Sequence, residues 1–207
     1  MFYSLSDFQR AKEYCEKALA IKIEIGDRRG EGRIYGHLGD VFDSFGENQK
    51  AKEYYEKALA IAIEISDRNG EAAGHFRLGY FNHDTLRKNR EAEKHFNKAV
   101  GISIAVSDRN LEARATANLA SVFFSVNDHQ KAKEHCEEAL TISRECGCRR
   151  VKAEIYRGVG VIFLLLGECD KAENYLEKAL SISRQIGDKM SEFNSLCFIT
   201  MLRWDLT

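Results

Sequence analysis

Proline is missing from all 207 residues of the chain. No ring removes a backbone donor or obstructs a preceding turn, and that absence fits long helices joined by glycine and aspartate turns. Excess charge of either sign is missing too. Lys and Arg number 31 against 32 Asp and Glu, a net charge of −1. This argues against nucleic acid as the main partner, since phosphate binding needs a surplus of cations on one face. No apolar run approaches the roughly 18 residues that cross a bilayer. The longest, Val159 to Leu166, is far too short, so no membrane insertion is expected. No basic-then-apolar stretch opens the sequence, which sets the expected location as cytoplasmic. What remains, 44% hydrophobic and 30% charged residues, predicts an ordered fold and not disorder.

What the chain does contain is a repeat. The segment Ala51-Lys52-Glu53-Tyr54-Tyr55-Glu56-Lys57-Ala58-Leu59-Ala60 recurs in altered form from Ala11, Ala92, Ala132 and Ala172, a spacing of 40 residues with one slip to 41. A period in this range predicts stacked supersecondary units and not a globule around one central core. The expected organisation is a single array over 1–207. It comprises a partial repeat at 1–26, repeats at 27–66, 67–107, 108–147 and 148–187, and a partial or irregular one at 188–207. Neither end reads as a polar cap: Met1-Phe2 aligns with Val41-Phe42, and residues 201–207 leave the pattern. The chain therefore reads as a piece of a longer array.

Within residues 27–66, Tyr35, Leu38, Phe42 and Phe45 fall on one helical stripe. Gly46 breaks it. Ala51, Tyr55, Ala58, Leu59, Ala62 and Ile65 then make a wide apolar face on a second helix. The joins Gly26-Asp27, Ser66-Asp67, Ser107-Asp108 and Gly187-Asp188 supply turns, with aspartate able to cap the helix that follows. Gly39, Gly79, Ala120 and Gly160 share one position on the first helix, and Ala58, Ala99, Ala139 and Ala179 share one on the second. Small residues there are expected to let the two helix backbones approach closely. The fold class is all-α, a right-handed α-solenoid of helix-turn-helix hairpins with about four to six helical turns per arm. Asn82 to Arg90, which holds the one-residue slip, is expected to be a loosened turn.

The pattern Tyr35-x-x-Leu38-Gly39-x-x-Phe42 followed by Ala51-x-x-x-Tyr55-x-x-Ala58 resembles the tetratricopeptide repeat signature. So does Tyr156-x-x-Val159-Gly160-x-x-Phe163 followed by Ala172-x-x-x-Leu176-x-x-Ala179. The longer period and the Gly-Asp-Arg joins look like the variant found in Pins-like spindle-orientation scaffolds, kinesin light chains and the tetratricopeptide repeat protein 28-like group. The proline that closes the 34-residue form is absent.

Catalytic constellations do not emerge, and neither a cofactor nor a metal is expected. His135-Cys136 followed by Cys146-Gly147-Cys148 superficially resembles a metal site. However, Cys15 and Cys136 stand at the position of Tyr55, Phe96 and Leu176, and Cys146 stands where Ile25, Ile65, Val106 and Ile186 do. Core thiols are the simpler reading, reduced as in a cytosolic protein. The Lys-Glu runs read as solvated surface pairs.

The positions that vary between copies point elsewhere. The resemblance implies that the outward face of each first helix lines the concave groove of the superhelix. That face carries Arg33, His37 and Asp40, then Arg77 and Tyr80, then Arg114, Asn118 and Ser121, then Val161 and Leu165. The arginines would present guanidinium forks to carboxylates or carbonyls of an extended chain, and Tyr80 a flat apolar surface. Val161 and Leu165 suit an aliphatic or aromatic side chain, or alternatively face a missing neighbour or a capping segment. The expected function is a non-enzymatic scaffold for a protein or peptide ligand. The alternative is a sensor or oligomerisation arm of a larger multidomain protein, and both leave room for self-association through the array ends.

Overall fold

A computed structural model describes residues 5–145 and 147–204. They form two compact units, residues 1–106 and 107–207. In the first unit, α1 (Leu5–Glu24), α2 (Arg28–Ser44), α3 (Asn48–Glu64), α4 (Arg68–Tyr80) and α5 (Asn89–Ala105) follow one another, with a π-helical segment, Phe81–Thr85, closing α4. The second unit holds α6 (Arg109–Ser125), α7 (His129–Glu145), α8 (Arg149–Leu165), α9 (Cys169–Gln185) and α10 (Lys189–Trp204). Among the described residues no strand occurs. Helices α2 and α3, α4 and α5, α6 and α7, and α8 and α9 pack as hairpins. Within each unit successive hairpins stack, α2 on α4 and α6 on α8. Each unit is thus an all-α pile of helical hairpins.

The turns follow from local chemistry. Helix α2 ends where Gly46 takes φ +75°, a left-handed conformation free of penalty only for glycine, and the Glu47 amide returns to the Phe42 carbonyl at 2.9 Å. Ser66 and Ser107 accept the same strain at φ 55° and 59°. Three of the joining aspartates act as caps: Asp27 accepts from the Gly30 amide (2.8 Å), Asp108 from Leu111 (3.0 Å) and Asp188 from Ser191 (3.1 Å). Asp67 departs from the expectation. It sits at the cap position of α4 without a side-chain cap bond, and its carboxylate instead meets Arg29 Nε at 3.0 Å.

The core is assembled slot by slot. A Cβ built on Gly39 would lie 2.5 Å from the Tyr55 ring, one on Gly79 2.8 Å from Phe96, and one on Gly160 2.8 Å from Leu176. The glycines make room for a large side chain of the facing helix, and at Gly160 for its backbone as well, where the Leu176 amide nitrogen would be 3.2 Å from a Cβ. The second unit confirms the size rule by inversion: Ala120 stands in the same slot, and its partner there is the small Cys136, both buried in one cluster. Phe96 and Leu176 are fully buried. Each such side chain contributes about 1.5–3 kcal/mol relative to exposure.

Three other expectations change. Asn82 to Arg90 is not simply a loosened turn: Phe81–Thr85 continues the helix in π form, with Asn82 Nδ2 donating to the Leu78 carbonyl at 2.7 Å. A π segment holds one residue more than an α turn, so the slip is absorbed inside the helix. The column of Ile25, Ile65, Val106 and Ile186 is not core. Ile25 is 63% exposed and the others are half-buried, because they sit at helix ends. Cys146 in that column, Met1-Phe2 and residues 205–207 lie outside the described residues. Cys136 is buried as expected, whereas Cys15 is only half-buried.

Candidate functional site

In the first unit, the anticipated residues gather on α2 and α4. Asp40 is the hub. Its Oδ1 accepts from the Tyr55 hydroxyl at 3.1 Å and lies 3.4 Å from Arg77 Nε, while its Oδ2 is 3.7 Å from Nδ1 of the exposed His37. The Arg77 guanidinium lies flat against α2, where a Cβ on Gly36 would be 3.3 Å from Cζ. Burial and the neighbouring Asp40 and Asp43 carboxylates push the Tyr55 hydroxyl well above its ordinary range, so it stays a hydrogen-bond donor. Arg33, His37 and Arg77 also border a cavity of about 360 Å³ between α2, α3 and α4. Tyr80 is 46% exposed at the end of α4.

The second unit carries the remaining five. Arg114 Nε pairs with Glu154 at 3.4 Å across α6 and α8. Asn118 turns its amide back to the Arg114 carbonyl at 2.8 Å, and the Ser121 carbonyl accepts from Ser125 Oγ at 2.9 Å. Val161 is half-buried against Leu176, Leu180 and Ile199, so α9 and α10 cover it, whereas Leu165 is 60% exposed. The structure thus joins Arg33, His37 and Arg77 around one cavity, with Asp40 holding Arg77 beside it. It joins Arg114 with Asn118 on one helix face, and separates Val161 from Leu165 by burial.

One cluster escaped sequence reasoning. His75 on α4 and His95 on α5 meet Nδ1 to Nδ1 at 3.0 Å, with His75 buried. Burial, the facing His95 and Lys98 hold His75 down to about 4. His95 is lowered too, by burial and Lys98. Superposing the repeats would have revealed the pair: it occupies the slots of the stacked rings Tyr35–Tyr54 and Tyr156–Tyr175. Among the described residues no three His, Cys, Asp or Glu groups converge on a metal position, and no helix is long and apolar enough to cross a membrane.

The sequence pattern of the tetratricopeptide repeat family matches residues 1–64, 71–145 and 111–185. The chain belongs to that family. No curated protein matches it at a significant level. Among solved structures, this tetratricopeptide repeat chain is similar to BtubC from P. vanneervenii. The TM-score is 0.70 at 17% identity, over 96% of this chain and 92% of that one. It is also similar to aspartyl phosphate phosphatase F from Bacillus subtilis, with a TM-score of 0.77 at 19% identity, over 96% of this chain and 52% of that one. A signal transduction ATPase with a tetratricopeptide repeat sensor, from Pyrococcus horikoshii, gives a TM-score of 0.71 at 19% identity. There the match covers 95% of this chain and 30% of that one. The chain therefore spans about half of the second structure and under a third of the third. At these identities the likeness is one of fold.

Proposed function

We propose that this tetratricopeptide repeat protein is a non-enzymatic, cytoplasmic adaptor, one array over residues 1–207 of the longer-period variant, that holds a peptide or partner helix against the outward face of its first helices. Repeats of this family generally serve protein–protein interaction and not catalysis. The observation that carries the reading is the cationic cluster around the cavity of the first unit, where Arg33 stands exposed at the rim and Arg77 is held by Asp40. Rigid helices support it: ligand contacts made on a preformed face cost little ordering.

The test begins with peptides selected by display against the full chain, whose affinity is then measured by fluorescence anisotropy at low and high salt. Arg77→Ala combined with Arg114→Ala is expected to weaken binding about tenfold or more and flatten the salt dependence. Unchanged affinity and salt slope would remove the proposal. A second reading, a sensor arm within a multidomain protein, draws on the similarity to an ATPase described as carrying a tetratricopeptide repeat sensor, of which this chain matches only 30%.

A further inference from the structure

Helix α10 packs on α9 and α8 with one side and carries an apolar stripe on the other. Ser195, Ile199 and Leu202 are buried on the packed side. Met190, Phe193 and Met201 are 49%, 62% and 57% exposed, and with the half-buried Cys197 they follow one another at steps of three, four and four residues. At helical periodicity these four fall within a sector of about 80°, opposite the packed side. Among the described side chains no charge interrupts the stripe. Asn194 and Thr200 flank it, and Lys189 and Glu192, further round, pair with each other at 2.9 Å.

The same positions in the earlier first helices are shaped for a covering helix, and those of α10 are not. Phe193 takes the place of Gly32, Ala72, Ala113 and Ala153. A Cβ on Gly32 would already lie 3.2 Å from Ile61 of the facing α3, and the three alanines are buried. Thr200 takes the slot of Gly39, Gly79, Ala120 and Gly160, where the facing side chain leaves room for little more than hydrogen or a methyl. A further second helix laid on α10 in the register of the inner hairpins therefore collides with both Phe193 and Thr200. The stripe suits an occupant that is itself uncharged and apolar, and a second copy of α10 qualifies. Phe193 and Met201 stand four residues on either side of Cys197. Two antiparallel copies related by a two-fold axis at Cys197 set Phe193 of each against Met201 of the other, a self-complementary contact of ring on thioether. Uncharged faces bring no like charges together, and a net charge of −1 per chain adds little repulsion.

We infer that the stripe of Met190, Phe193, Cys197 and Met201 is the contact face of a two-fold, antiparallel homodimer formed through α10. The inference goes beyond the adaptor reading and does not rest on it. The face is small. Three large side chains, each about half exposed, fall well short of the roughly 800 Å² per partner of a standard interface, so the dimer is weak, with a dissociation constant on the order of 100 µM. Facing helices about 8–10 Å apart, each with Cα atoms about 2.3 Å from its axis, bring the two Cys197 Cα atoms to about 3.4–5.4 Å. That range overlaps the roughly 4.4–6.8 Å of a disulfide.

The experiment is sedimentation equilibrium of the full chain under a phosphine reductant, from about 10 µM to about 1 mM so as to bracket a weak association. The mass is expected to rise from 23.6 kDa towards twice that value and no further. Phe193→Ser combined with Met201→Ser, both at exposed positions, is expected to weaken association at least about tenfold while the circular dichroism stays helical. Tyr14→Ser, at an exposed tyrosine of α1, is expected to leave association unchanged. In a second measurement the reductant is removed and diamide is added at high protein concentration; it takes up the two hydrogens that a pair of thiols loses as their disulfide forms. Peptide mapping is expected to find Cys197 joined to Cys197 in the wild type, and this link lost in the Phe193 and Met201 double variant. A single-chain mass at every concentration, growth beyond two chains, or unchanged association of the double variant overturns the inference. So does loss of association in Tyr14→Ser, or Cys197 joined mainly to another cysteine; a link to Cys15 of α1 would mark open head-to-tail growth instead.

Discussion

Acid should loosen the α4–α5 hairpin in a window where carboxylates are still ionised, because its core holds two neutral imidazoles. The perturbation is a pH change from 8 to 5 on the wild-type chain and on His75→Leu. In the folded state His75 is held down to about 4, against 6.5 for a solvated histidine side chain, by burial first, then by His95 and Lys98. The charged groups around the pair act in both directions: Lys98 and Lys94 oppose protonation of His95, while Glu91 and Glu56 favour it. With a folded pKa depressed below the unfolded one, the unfolded chain takes up a proton near pH 6.5 that the folded chain refuses until about 4. Stability is therefore complete above 6.5 and falls as pH falls through that interval. At pH 5 the linkage relation gives a loss of about 2 kcal/mol for His75 alone, with His95 adding to it in the same direction. Carboxylates whose pKa the fold lowers, such as Asp27 and Glu91, act at lower pH and stay outside the window.

Imidazole nitrogen resonances measured against pH give the ionisation directly. Urea unfolding followed through α4 and α5 amide resonances gives the energy of this hairpin even where a repeat array unfolds in stages. Wild type is expected to lose about 2 kcal/mol more than His75→Leu between pH 8 and pH 5. A His75 titration centred near 6.5, or equal pH slopes for the two chains, would refute the reasoning.

Other perturbations test the packing. Gly39→Ala places a methyl against the buried Tyr55 ring, 2.5 Å from its nearest atoms, and is expected to cost about 1–3 kcal/mol despite the better helix propensity of alanine. Combining it with Tyr55→Cys recreates the Ala120–Cys136 pairing, and a double-mutant cycle by urea unfolding should show favourable coupling above about 0.5 kcal/mol; zero coupling would break the size rule. Cys136 is buried with its thiol pushed up to about 12, chiefly by desolvation, while Cys148 is exposed. A thiol reagent followed by peptide mapping should label Cys148 in the native chain and Cys136 only after unfolding.

The frame was legible because the sequence repeats. Leu38, Phe42, Ala51 and Tyr55 recur in register with counterparts such as Leu78, Phe96, Leu119 and Phe163, and all of these are buried. Periodicity of 3.6 and a glycine break were enough to place the helices. Errors arose where a column's chemistry depends on its place along the helix. Ile25 and its equivalents are aliphatic yet sit at helix ends, where Ile25 is 63% exposed and Ile65, Val106 and Ile186 are only half-buried. Asp67 has the sequence of a cap but meets Arg29, a contact between residues 38 apart that no local pattern encodes.

Function was harder to read for a related reason. A repeat family keeps its frame residues alike, so information about ligands is confined to the positions where copies disagree. Selecting outward-facing residues found Arg33, His37 and Arg77, which do converge on one cavity, but it passed over inward positions where one copy differs from the others. His75 and His95 draw no notice until set beside Tyr35–Tyr54, when two stacked phenols are seen to be replaced by one imidazole hydrogen bond. In a chain that carries its own internal alignment, a residue smaller or more polar than its counterparts is therefore the stronger functional signal. It departs from a slot whose size the other copies have already defined.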